Sequence, residues 1–295
     1  MNLKKSLLSV SLAASLGFGA AANAALILED VTIDFSSVGG PVVTGVDAIG
    51  FNDAPFVAVL NDTNLNGTVD VGETYTVTGK GAASSLISNT DGNISPLGFG
   101  LNGFFELTFD FSLQVMVTPS VVPGQINFTH MPSANALRFY LDDLDVANAD
   151  GGVKSNPGTG AGYTDGNLIL TFEVLGGEGG SVNVTTLFDG SDDATFRLET
   201  VNQAGVFRDA SGNEFTPEST LALTDSNFDL DSNDNNALDE TRGGFGCTAS
   251  NQSAGFFCGV EDGTVRFAVP EPGTLAILGL GLLGLGWSAR RKTSV

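Results

Sequence analysis

The chain has little of what catalysis usually draws on. It holds one histidine, His130, in 295 residues, so a Ser-His-Asp arrangement has a single route and no histidine cluster is available to a metal. That residue sits in Phe128-Thr129-His130-Met131-Pro132, with no nucleophile elbow and no zinc-protease motif elsewhere, and reads as a strand-end residue. Thr78-Gly79-Lys80-Gly81 lacks the spacing of a phosphate loop. Basic residues are also scarce, 12 against 34 acids, which excludes a nucleic-acid partner on charge. With one Trp and three Tyr there is little for a sugar-stacking platform, whereas 21 Phe suit a core. Nothing between Ala25 and Val269 reads as a long amphipathic helix.

The two ends carry addresses. Lys4 and Lys5 make a positive start, Ser6–Ala22 is uncharged and apolar or small, and Ala22-Asn23-Ala24 gives a small-x-small cleavage site. Residues 1–24 therefore read as a secretory signal peptide, removed by signal peptidase to leave Ala25 as the mature N-terminus. At the other end Pro270-Glu271-Pro272 precedes an uncharged Leu/Gly/Ala/Ile run, and Arg290, Arg291 and Lys292 follow. A helix over 274–289 is short for a bilayer, which takes about 17–25 residues, and Gly279, Gly281, Gly284 and Gly286 weaken it further. The basic cluster would keep the tail on the cytoplasmic side.

Pro-Glu-Pro, a short hydrophobic helix and a basic tail, in that order over 270–295, resemble the PEP-CTERM sorting signal. The resemblance implies a membrane enzyme, exosortase, as a processing partner. It also implies transient anchoring in the inner membrane, followed by release to, or transfer onto, the cell surface.

Between these signals lie about 245 residues, Ala25–Val269, enough for one large β domain or two small ones. They hold 7 basic and 33 acidic residues, a net charge of −26, a surface that attracts cations and resists compaction unless they screen it. The pair Cys247 and Cys258, close in an exported chain, reads as one disulfide around Thr248–Phe257. Along Phe105–Val115 odd positions are apolar and even ones polar, the pattern of a half-buried antiparallel strand. Similar runs fall at 27–35, 69–78, 136–141, 168–174, 181–188, 195–201, 220–223 and 264–269, separated by Asp-Gly and Asn-rich turns. Many short strands with such turns predict an all-β fold, an antiparallel β-sandwich of jelly-roll type, with Phe between the sheets. The glycine-rich Asn148–Glu178 is expected to be a long loop inside that single domain, not a linker.

The sharpest chemical pattern is Asp62-Thr63-Asn64-Leu65-Asn66-Gly67-Thr68-Val69-Asp70-Val71-Gly72-Glu73. Oxygen side chains at Asp62, Asn64, Asn66, Asp70 and Glu73 fall where an EF-hand loop places calcium ligands, Thr68 stands among them, and Gly67 sits where the loop must bend. The flanks are strand-like, so a calcium loop between strands is expected. An Asn/Asp/Gly turn with no metal has the same composition. A second copy over Asp231–Asp239 has Asn236 for the glycine and Arg242 in place of the bidentate Glu, which should weaken it.

Ala136–Asp142 followed by Gly158-Thr159-Gly160-Ala161-Gly162-Tyr163-Thr164-Asp165-Gly166-Asn167-Leu168-Ile169-Leu170 resembles the flocculation-associated PEP-CTERM proteins. This implies a part in cell aggregation or floc matrix and no active site. The expected function is thus a non-catalytic surface or matrix protein among extracellular polysaccharides. The alternatives are a secreted calcium-dependent carbohydrate-binding module, or a glycoside-active enzyme with two facing carboxyls.

Overall fold

Strands form where period-2 alternation meets β-branched and aromatic residues, and they turn where Gly, Asn and Asp accept positive φ. The computed structural model describes residues 25–89, 92–94, 103–144, 153–156, 159–183, 189–217, 220–230, 244–245, 253 and 255–270. In chain order the strands are β1 (Ala25–Ile27), β2 (Val31–Asp34), β3 (Val42–Val46), β4 (Ala48–Asn61), β5 (Thr74–Ser88), β6 (Gly92–Ile94), β7 (Phe105–Thr118) and β8 (Gln125–Met131). Then come β9 (Ser133–Asp143), β10 (Asn167–Val174), β11 (Gly180–Asn183), β12 (Asp189–Val201), β13 (Phe207–Arg208), β14 (Leu221–Leu230) and β15 (Phe256–Pro270). A short 3-10 turn spans Ser36–Val38. No helix among them is long and apolar enough to cross a membrane, and the expected helices at 1–24 and 274–289 lie outside them.

The chain divides into two compact units. In the larger, residues 28–267, the strands close on themselves. β4 pairs with β5, β5 with β7, β7 with β9, β9 with β10, β10 with β12, β12 with β14, β14 with β15, and β15 with β4 again, and the pairs whose registers are resolved are antiparallel. Where β9 and β10 give out, β8 and β11 continue the wall between β7 and β12. This corrects the jelly-roll expectation. A jelly roll passes strands between two sheets through Greek-key connections, whereas here successive strands are wall neighbours, as in an up-and-down barrel. Pro132 separates β8 from β9, which follow one another along the same edge of β7, and the β15–β4 pairing closes the wall.

Two glycines set how the inside is filled. Gly79 and Gly81 on β5 lie opposite Phe111 and Phe109 on β7. A Cβ built on either would come within 2.1 Å of the facing ring, so the rings lie across backbone that carries no side chain. Phe109 in turn packs on Phe51 and Phe139, at centroid distances of 5.1 and 5.9 Å. A three-stranded sheet, β13-β2-β3, adds Phe207 to this core and leads into Phe35; they meet Phe267 and Phe105 at 5.3 and 4.7 Å. Phenylalanine therefore fills the inside of a barrel, not the space between two sheets.

Several strand expectations move for local reasons. Asp30, at φ 58°, breaks the 27–35 run between β1 and β2. The 69–78 run becomes strand only from Thr74, because its first residues belong to the 62–73 loop. In the smaller unit, residues 1–27 with 268–295, the described residues are β1 and the end of β15. They pair antiparallel, with Ala25 opposite Pro270.

Candidate functional site

Every residue singled out between Asp62 and Glu73 falls in one loop joining β4 to β5. Asp62 accepts the backbone N–H of Asn66 at 3.3 Å and of Gly67 at 2.7 Å on its two oxygens. The Gly67 bond is the main reason its carboxyl is held below the usual range. Leu65 and Gly67 take positive φ, 58° and 73°, which curls the loop around its own side chains. Asn64 and Asn66 donate their amides to Asp70 Oδ2 at 2.8 and 2.6 Å, and this lowers the Asp70 pKa. Thr68 donates its hydroxyl to Asn66 Oδ1 at 2.7 Å. Glu73, 3% exposed, accepts Thr63 N–H on Oε1 and Asp70 N–H on Oε2, at 3.1 and 3.0 Å, tying both ends of the loop. The expected ligands thus converge, but their oxygens are engaged within the loop. Among the described residues no group of three His, Cys, Asp or Glu side chains is spaced to hold a metal. The second loop, Asp231–Asp239 with Arg242, lies outside the described residues.

The structure assembles a second polar set that sequence reasoning passed over. The inward register of β12 carries Asp192, Ala194 and Phe196 opposite Ser226, Thr224 and Ala222 of β14, and β15 turns Glu261 inward opposite Ala54 of β4. His130, 2% exposed near the end of β8, brings Nε2 to 2.8 Å from Asp192 Oδ1. Its Nδ1 is buried without a hydrogen-bond partner. Ser226 donates its hydroxyl to the Asp192 carbonyl at 3.1 Å. Burial first, and the nearby Asp192 second, push the Glu261 carboxyl up to about 8. Two cavities, of about 40 and 30 Å³, share Leu113, Asp192 and Glu261 in their linings. The signal for these residues was available: Phe257-Gly259-Glu261 and Asp192-Ala194-Phe196 alternate with the buried face. An acid in that register stands out only once inside and outside are known.

A third acidic group lies on the outer face of β7 and β9. Glu106 stands directly opposite Asp142, and both are buried, at 1% and 4% exposure. Ser155 donates N–H and hydroxyl to the Glu106 carboxylate at 2.7 and 2.9 Å. Asp142 Oδ2 is buried with no partner, and burial followed by the charge of Asp165 raises that carboxyl to about 6. The two segments with the flocculation-type pattern meet here, since β9 and β10 pair with Leu141 opposite Asn167 and Tyr140 opposite Leu168.

Cys258, 3% exposed on β15, is disulfide-bonded and packs with Val57; Cys247 lies outside the described residues. So do the sorting residues Glu271, Pro272, Arg290 and Arg291, while Pro270 ends β15.

A family model described as the PEP-CTERM protein-sorting motif matches residues 268–292, at the C-terminus. The chain thus carries a PEP-CTERM sorting motif, which implies export to the cell surface or beyond and processing by exosortase. No curated protein and no solved structure matches it significantly.

Proposed function

We propose that this chain is a non-catalytic surface or extracellular-matrix protein, associated with exopolysaccharide in biofilm or flocs, whose Asp62–Glu73 loop takes calcium. The sorting motif at 268–292 is the observation that carries the reading, because it commits the domain to the cell exterior. Its acidic surface and closed barrel suit persistence there in the presence of divalent ions. In this reading calcium binds once the Asn64 and Asn66 amides rotate to turn oxygen towards Asp70, an exchange of O for N that costs little space. Glu73 then supplies the bidentate carboxylate. The exposed apolar side chains of this loop are Leu65 and Val71, aliphatic and unsuited to sugar stacking, which favours the matrix reading over a lectin. The test is a deletion strain. Loss of aggregation or matrix, with growth and polysaccharide synthesis intact, supports the proposal; unchanged aggregation and matrix overturns it.

A further inference from the structure

Among the described residues the linings of the two cavities are mostly apolar, and the carboxyls they share are those of Asp192 and Glu261. The larger cavity is lined by Phe56, Tyr75, Phe128 and Phe257 together with the carboxyls of Asp192 and Glu261. Among the described residues no lysine or arginine lines it or its neighbour. The arginine ion pairs among the described residues lie elsewhere: Arg138 with Asp110, Arg197 with Glu173, and Arg208 with Asp34. His130 is engaged with Asp192 through Nε2. Glu261 therefore faces the cavity beside a second carboxyl with no cation of its own.

We propose that this cavity is a binding site for a small organic cation, an ammonium group carrying a short apolar tail. The chemistry selects the class. Two carboxyls repel an anion. A wholly apolar guest would leave the Glu261 carboxyl without a partner, which buried polar groups do not tolerate well. An ammonium group would pair with Glu261 and Asp192, and aromatic rings around it add cation–π attraction. The volume limits size: about 40 Å³ holds roughly three waters at the ~10–15 Å³ each requires, so the tail is a few carbons long. The site also accounts for the placement of Glu261, an acid in an inward strand register where an apolar residue would pack without penalty.

Isobutylamine, isobutanol and isobutyrate share a carbon skeleton and differ in head group. Titrated at millimolar concentration into the exported protein, isobutylamine should raise the melting temperature by at least 2 °C and give saturation-transfer NMR signals. Isobutanol and isobutyrate should do neither. Glu261→Gln should weaken amine binding at least tenfold without lowering the protein's own melting temperature. Val77→Phe, which fills the cavity from a half-exposed wall position while leaving both carboxyls, should also block it. Equal binding of the alcohol, absence of amine binding, or amine binding that survives both substitutions would each overturn the site.

Discussion

At the residue scale the inside of the barrel is decided by pairs. Gly79 and Gly81 carry nothing where Phe111 and Phe109 lay their rings, so a side chain at either must displace an aromatic core residue. Gly79→Val should destabilise the protein by about 1–3 kcal/mol, the usual range for overpacking, seen as a lower urea midpoint with an unchanged slope. An increase in stability would mean that the ring has room to move. The two raised carboxyls set a pH dependence of known sign. Glu261 and Asp142 hold their protons more tightly folded than unfolded, so their contribution is complete below about pH 4. It falls as pH rises through about 6 for Asp142 and about 8 for Glu261. Facing Glu261 are Asp192 from β12, which His130 of β8 engages, and Tyr75 from β5; facing Asp142 are Glu106 from β7 and Asp165. Between pH 5 and 9 these two groups should lower the melting temperature. Glu261→Gln should remove the upper part of that fall, on the order of 2 kcal/mol at pH 9 given its partial accessibility. A parallel, undiminished fall in the variant would show that Glu261 is not the group responsible.

At the scale of elements the β4–β5 loop shows how far spacing alone reaches. The positions of Asp62, Asn64, Asn66, Gly67, Asp70 and Glu73 could be read from the chain, and positive φ at Gly67 follows from the residue type. The second positive φ, at Leu65, could not be foreseen, because leucine does not ask for it; the turn imposes it. Nor could the burial of Glu73, which depends on where β5 begins. Calcium at millimolar concentration should raise the melting temperature more than equal magnesium, reversibly with chelator, because the loop offers many flexible oxygens and no tight octahedron. Glu73→Gln should remove most of the difference. Because Glu73 also closes the loop through Thr63 and Asp70, the variant's metal-free stability has to be measured alongside. Equal effects of the two ions, unaltered by Glu73→Gln, would reduce the loop to an ordinary turn on an acidic surface.

For the whole molecule the decisive features are its ends and its closure. Intact mass of the exported product should begin at Ala25 and lack Arg290-Arg291-Lys292; a mass that retains the basic tail would refute processing at the sorting signal. Alkylation without reductant should leave Cys247 and Cys258 unlabelled, and quantitative labelling of both in the native protein would refute their bridge.

What the sequence determined by itself is what depends on short stretches of chain. Hydrophobicity, charge and Pro-Glu-Pro are read locally, so the C-terminal sorting signal was legible there, as were strands such as β7, β9 and β10 from their two-residue period, though not β3 or β8. Which strand lies beside which was not, because alternation specifies a buried face without naming the neighbour. Jelly roll and up-and-down barrel impose the same pattern on each strand. Tertiary structure alone closed β15 onto β4, laid Phe109 and Phe111 over glycines, and brought Asp192 and Glu261 to one cavity with His130, from a third strand, bonded to Asp192. Those residues stand far apart in sequence, and only the register of a closed wall turns all three inward.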